Sequence, residues 1–215
     1  MESRPILLTV AAFLLWALVH SLTAARQVKT WVRAKIGRRA YDGFYRLAYN
    51  AFSVLSILPL LYLLATRVPS SVLWRVRSPF SWLFGGVQLA GLIGLAASLW
   101  QTDVWRFAGI RQALRYLQGA EDPDPPGAFV QSGAYRLVRH PLYFFSMLFI
   151  WFTPIMTLNT LLFNVLASVY FLLGAIHEER RLLAEFGDVY EHYREKVPGF
   201  LPWRRGRLKK VFDND

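Results

Sequence analysis

The chain has no cysteine in 215 residues, which excludes disulfides, thiol nucleophiles and zinc–thiolate sites. No metal is expected. Acidic residues are scarce, 14 Asp and Glu against 25 Lys and Arg, for a net charge of +11. Such a charge suits nucleic acid, but here the basic residues flank apolar spans, so no nucleic-acid partner is expected. In that context they are topology signals and contacts to anionic lipid headgroups. A Gly-rich dinucleotide fingerprint is absent as well. A nucleotide-like cofactor would therefore sit in a helical membrane pocket. Repeats, low-complexity tracts and linkers are lacking, and the chain reads as one domain over 1–215.

Apolar residues are plentiful, at 54% of the chain with a mean hydropathy of +0.28. Several windows approach the length that crosses a bilayer, so an all-α, polytopic membrane protein of about five helices is expected. The spans fall near Ile6–Leu22, Leu47–Ala65, Trp82–Trp100, Leu142–Leu158 and Leu161–Ile176. Pro59 is a candidate kink in the second. Gly91 and Gly94 would let the third pack closely on a neighbour, and Trp74, Trp82, Trp100 and Trp105 bracket it as interfacial aromatics do. Between the first two spans lie Arg26, Lys29, Arg33, Lys35, Arg38 and Arg39, opposed only by Asp42. That density predicts a cytoplasmic loop, an outside amino terminus, and a cytoplasmic carboxyl terminus carrying the basic tail Trp203–Lys210. Residues 101–134 read as one long polar connection, non-helical around Glu121–Gly127. Leu182–Tyr193 has amphipathic helical character.

The chemistry is expected between Ser132 and Leu183. Pro141 is suited to the first position of a helix, where its missing N–H costs nothing. The two apolar spans that follow are nearly equal, so a tight hairpin would return Glu178 and Glu179 to the face of Arg139, His140 and Tyr143. A helix start offers free N–H groups to an anion, and Glu178 offers a fixed negative charge. Ionisable residues at a membrane face are functional candidates. Taken singly, Arg139 can equally snorkel, His140 cap a helix, and Glu178–Arg181 form a solvated helix end.

Tyr135-x-x-x-Arg139-His140-Pro141-Leu142-Tyr143, then Glu178-Glu179-Arg180-x-Leu182, Phe186-Gly187, Tyr190, Tyr193 and Val197-Pro198 resemble the isoprenylcysteine carboxyl methyltransferase family. His20-Ser21, Lys29-x-Trp31, Phe107-x-Gly109-x-Arg111-Gln112 and Thr153-Pro154-x-Met156-Thr157 are similar to its bacterial methanethiol S-methyltransferase branch. The resemblance implies an integral-membrane enzyme using S-adenosyl-L-methionine, in a bacterial inner membrane, with its active site cytoplasmic. It implies cofactor contacts at Tyr135, His140, Pro141, Leu142, Tyr143 and Glu178, and further contacts at Ala128, Phe129 and Val130. The cofactor-binding core would span about 127–202. Prenylcysteine enzymes of animals place a substrate-binding arginine four residues before that glutamate, where this chain has Gly174.

Methyl transfer from a sulfonium is an in-line displacement, so an enzyme mainly aligns donor and acceptor and excludes water. A thiol acceptor must lose its proton, for which His20 and His140 are candidates. His20 and Arg139 are the candidate catalytic residues. The acceptor is expected to be small or lipid-like, a thiol ahead of a prenylcysteine carboxylate, with a phospholipid amine behind both. Two other classes remain: an NADPH-dependent membrane reductase with a similar arginine-histidine-proline-x-tyrosine motif, and a non-enzymatic scaffold. Leu142 where those reductases have asparagine, together with the glutamate pair, favours methyl transfer.

Overall fold

In lipid every backbone N–H and C=O must be satisfied within the protein, and a helix does this within one segment. In the computed structural model, which describes residues 3–125 and 129–202, four helices are long and apolar enough to cross a membrane. These are α1 (Ser3–Ala24), α3 (Arg38–Arg67), α4 (Phe80–Gln101) and α8 (Leu158–Phe186). Their apolar side chains are largely exposed, Leu7, Leu14, Leu55, Leu83 and Leu173 among them, as suits a surface bathed in hydrocarbon. The protein is an integral membrane protein with a polytopic, all-helical body. Pro59 lies inside α3 without ending it.

The fifth span is where expectation and structure part. The helix opened by Pro141, α7, runs only to Trp151 rather than to Leu158. Thr153 precedes Pro154, and the proline ring disfavours helical backbone before it. Asn164, buried on α8, donates to the Ile150 carbonyl at 2.7 Å and so satisfies the end of α7. Ile155–Thr157 then form a strand, β2, antiparallel to β1 (Val72–Arg75), the strand between α3 and α4. The two spans are thus unequal, 11 residues against 29, and the link is no tight hairpin. The ends still meet. From Leu158 to Glu178 a helix rises about 30 Å, while α7 rises about 16 Å. Residues 152–157, of which Ile155–Thr157 is strand, cover the remaining distance, because Thr157 adjoins Leu158 while His140 meets Glu179. Four helices are thus long enough to cross a membrane, and α7 with β2 forms a shorter apolar segment running back alongside α8.

Close packing of α4 on α7 follows from Gly91 and Gly94. A Cβ on Gly91 would stand 3.0 Å from the Phe145 carbonyl and the Phe149 amide, and one on Gly94 would collide with the Phe145 ring. Trp82 and Trp100 are exposed at the two ends of α4.

The face opposite the small sheet is built of helices that the sequence read as loops. The basic segment forms α2 (Arg26–Ile36), and the long connection holds α5 (Val104–Ala108) and α6 (Ile110–Leu117). Gly109, between them, adopts φ +88° and lies so close to α3 that a Cβ would stand 2.8 Å from the Leu47 Cα. Only glycine fits there. Glu121–Pro125 is non-helical, as expected. The amphipathic stretch Leu182–Tyr193 is not one helix: α8 continues to Phe186, Gly187 turns at φ +50°, and α9 (Asp188–Lys196) follows. The tail from Trp203 lies outside the described residues.

Candidate active site at one membrane face

The start of α7 and the last turns of α8 come together on the face carrying α2, α5, α6 and α9. Proline at the first position leaves His140 just outside α7, with its ring buried against α8. Its Nε2–H donates to Glu179 Oε1 at 3.0 Å, and its Nδ1 lies 3.5 Å from Glu178 Oε2. Tyr143 stacks on His140 and on Phe171, and its hydroxyl sits where a Cβ on Gly174 would lie 3.4 Å away. Gly174 thus gives room to Tyr143, and a long side chain there would have to displace that ring.

The two glutamates differ in what surrounds them. Glu179 accepts from Arg139 at 2.6 and 2.7 Å as well as from His140. Arg139 also donates to the carbonyls of Arg194 and Val197, at 3.0 and 2.7 Å. Its backbone N–H and that of His140 donate to Pro198 and Gly199. The fork and the two amides therefore clamp the segment after α9 over the start of α7, where Phe200 packs on His140 at 5.5 Å. Glu178 lies beside His140 Nδ1 at 3.5 Å, the Tyr143 hydroxyl and Arg181 at 3.9 Å, and keeps 36% of its side chain exposed.

Around Glu178 stand Tyr135 and, further out, Phe129. Tyr135 lies in a short 3₁₀ turn, Gly133–Arg136, fixed by Gln101, whose Oε1 accepts the Ala134 N–H at 3.0 Å. Burial, with the Glu178 charge adding to it, pushes the Tyr135 phenol up to about 12. Phe129 stacks on Phe186 at 4.9 Å and meets Tyr190 and Tyr193 edge-on. Tyr193 donates to the Tyr135 carbonyl at 2.6 Å, tying α9 to the turn.

His20 stands apart from this cluster, near the end of α1. Its Nε2 is 2.6 Å from the Tyr49 hydroxyl and its Nδ1 is 3.1 Å from Ser53 Oγ. Trp16 stacks on the ring at 5.1 Å, and Tyr170 of α8 meets it edge-on at 6.0 Å. His20 borders a cavity of about 390 Å³ between α1, α2, α3 and α5, with Lys29, Arg46, Tyr49 and Phe107 in its wall.

The structure thus gathers Phe129, Tyr135, Arg139, His140, Pro141, Tyr143 and Glu178 at one face, with Leu142 in the first turn of α7 and Val130 beside Phe129. Ala128 lies outside the described residues. The motif singled out Glu178, but sequence reasoning gave Glu179 no partner, and it missed Phe200, Gln101 and the Tyr49–Ser53 pair. The spacing Tyr49, Ser53 on one helix face was the available signal.

The chain matches the family model of the NnrU protein over residues 8–181. It is 35% identical over 197 residues to Methanethiol S-methyltransferase 2 of Bradyrhizobium diazoefficiens, covering 92% of this chain and 73% of that one. To Methanethiol S-methyltransferase of Mycobacterium tuberculosis it is 33% identical over 193 residues, 87% of this chain and 74% of that one. Similarity to Protein-S-isoprenylcysteine O-methyltransferase of Schizosaccharomyces pombe, at 33%, covers 52% of this chain and 53% of that one. No solved structure matches. With a match over most of its length, the chain belongs to the NnrU protein family, and among relatives of this kind it is a membrane methyltransferase.

Proposed function

We propose that the protein transfers a methyl group from S-adenosyl-L-methionine to a small or lipophilic acceptor, an alkanethiol ahead of a prenylcysteine carboxylate. The observation that carries this reading is Glu178, a carboxylate left partly open beside Tyr135 and Tyr143 at the start of a helix. The donor set fits the cofactor. Glu178 would take its ammonium group as a charge-assisted hydrogen bond. The first-turn N–H groups of Leu142 and Tyr143, which have no partner inside the helix, would take its carboxylate. Phe129 and Tyr135 offer rings to its purine, while His140 and Pro141 set the helix start and Val130 lines the approach. Bound there, the sulfonium supplies an electrophilic methyl carbon. The chain's own task is to hold the acceptor in line with that carbon and keep water out.

The thiol is ranked first because the relatives matched over most of this chain are named methanethiol S-methyltransferases. Gly174, filled by Tyr143, agrees with that ranking, since no arginine stands there to anchor a prenylcysteine carboxylate. The basic segment Arg26–Arg39 supports a cytoplasmic position for the site and contact with anionic headgroups, in a bacterial inner membrane. The donor-binding core covers about 127–202 within a single domain. A radiolabelled methyl-transfer assay with ethanethiol and a farnesylcysteine analogue tests the reading. Label is expected in the sulfide; label in the farnesylcysteine ester alone would reverse the order of acceptors.

A further inference from the structure

We propose that the cavity beside His20 is the acceptor subsite and takes a thiol as its thiolate, Tyr49 and His20 receiving the proton while Lys29 and Arg46 hold the anion. This rests on the methyl-transfer reading above. It adds a place, a proton path and a charge for the acceptor.

Hydrogen-bond bookkeeping fixes the tautomer. Ser53 Oγ has one hydrogen, and it is given to the Tyr49 carbonyl at 2.7 Å. Towards His20 the same oxygen must therefore accept, so Nδ1 carries the ring proton. Nε2 is then a bare lone pair, and the Tyr49 hydroxyl 2.6 Å away donates to it. Tyr49 presents to the cavity a phenol whose proton is already shared with a base. Trp16 stacks on the imidazole and is itself anchored by Nε1–H to Ser56 Oγ at 3.0 Å, which holds the ring in this orientation. Ser53 is a positioning residue, because it acts only through His20.

The charges in the cavity are unevenly answered. Asp42 is engaged by Arg33 and Arg38, at 3.2 and 3.4 Å, and Asp124 by Arg106 at 2.9 Å. Among the described residues, no carboxylate lies within ion-pair distance of Lys29 or Arg46. Burial, helped by Arg181 and Arg46, pushes the Lys29 ammonium below the usual lysine range, as an unanswered cation should be. From α8 the group facing His20 is the Tyr170 phenol, whose oxygen lies 3.5 Å from Ser21 Oγ. Tyr41 and Tyr45 complete the titratable wall on α3. The cavity's carboxylates are taken up by arginines outside its wall, and its Lys29 and Arg46 are left without a carboxylate among the described residues. Such a cavity, ending in a base, fits an acceptor that arrives as an acid and reacts as an anion. A carboxylate acceptor, already ionised at neutral pH, would leave the relay idle.

In the reaction the S–H bond breaks as its proton passes to the Tyr49 oxygen and the Tyr49 proton passes to His20 Nε2. The resulting imidazolium keeps both N–H groups satisfied, by Ser53 and Tyr49. The thiolate sulfur forms a bond to the methyl carbon of the sulfonium donor, and the electrons of the broken carbon–sulfur bond stay on the donor sulfur as a neutral thioether. The proton leaves His20 to water through the cavity. The relevant α8 face, Tyr170, Gly174, Glu178 and Arg181, runs along one side of the helix. It carries the acceptor end at Tyr170 and the donor end at Glu178.

The test uses the full chain in lipid nanodiscs, with ethanethiol as the probe. In Tyr49→Phe and His20→Gln, methyl transfer is expected to fall about 100-fold at about pH 7 and to recover to within about tenfold of wild type at about pH 10, where the thiol ionises unaided. S-adenosylhomocysteine affinity, read by calorimetry, should stay within about twofold in both. Binding of ethanethiol to the S-adenosylhomocysteine complex should weaken about tenfold in the double variant Lys29→Gln, Arg46→Gln, a loss of one anionic contact's worth. Losses that are the same at every pH, or thiol binding untouched by the double variant, overturn the proposal while leaving the methyl-transfer reading standing. Wild-type protein that binds no S-adenosylhomocysteine overturns that reading, and this proposal with it.

Discussion

Glu178 and Glu179 are adjacent on α8, and their neighbours assign them different work. Glu179 is enclosed by Arg139 and His140, so removing its charge leaves a half-buried guanidinium without its partner. Glu179→Gln is expected to destabilise the fold by about 2 kcal/mol, the usual scale for a lost hydrogen bond to a charged group. It should also loosen the segment after Lys196, and thermal unfolding in detergent with limited proteolysis reads both. Arg139→Lys is expected to lower stability as well, because an ammonium cannot reproduce the fork that reaches Glu179, Arg194 and Val197 together. An unfolding temperature unchanged in both variants would show that the clamp contributes nothing. The juxtaposition of His140 with the glutamate pair was legible from two helix ends, and the motif singled out Glu178; the enclosure of Glu179 was not legible. It depends on the chain after α9 folding back to present Val197–Phe200, a long-range pairing with no periodic signature. Arg139, a catalytic candidate by sequence, spends its fork on that clamp.

At the scale of elements, helices with apolar runs and glycine spacing were readable, whereas short elements were not. Gly91 and Gly94 promised a close helix contact, and α4 on α7 is that contact. Gly91→Ala is expected to cost about 1–3 kcal/mol, since its Cβ would press on backbone rather than on a side chain that can turn aside. Gly174→Ala, where the added carbon makes ordinary contact with Tyr143, should be nearly neutral in stability. Equal unfolding temperatures for the two variants would contradict this account of the packing. α7 is short because Pro154 forbids helix before it, while β1 and β2 exist only by pairing with each other across 80 residues of chain. Strands of three and four residues carry no alternation long enough to detect. α2, α5 and α6 were hidden for a different reason: their charge read as loop, though a helix lying at a membrane face is polar on one side.

For the whole molecule, the long helices and α7 place α2, α5, α6 and α9 on one face and the β1–β2 sheet on the other. The absence of native cysteine makes single-cysteine labelling clean. Ser71→Cys is expected to react with an impermeant maleimide in spheroplasts with an intact inner membrane, and Lys35→Cys and Glu195→Cys only after permeabilisation. Labelling of Ser71 and Lys35 from the same side would break the topology. The face bearing α2 is the one to which every candidate site residue within the described chain belongs, so the orientation fixes the compartment from which donor and acceptor arrive.

The central claim is that the methyl donor binds between the start of α7 and the end of α8, held by Glu178. Titration of purified protein with S-adenosylhomocysteine, in wild type and in Glu178→Gln, tests it most directly. Wild type should bind one equivalent, and the variant, still folded by its thermal transition, should bind at least about tenfold more weakly, the loss of one charge-assisted contact. Undiminished affinity in Glu178→Gln, or wild-type protein that binds NADPH instead, would contradict the account.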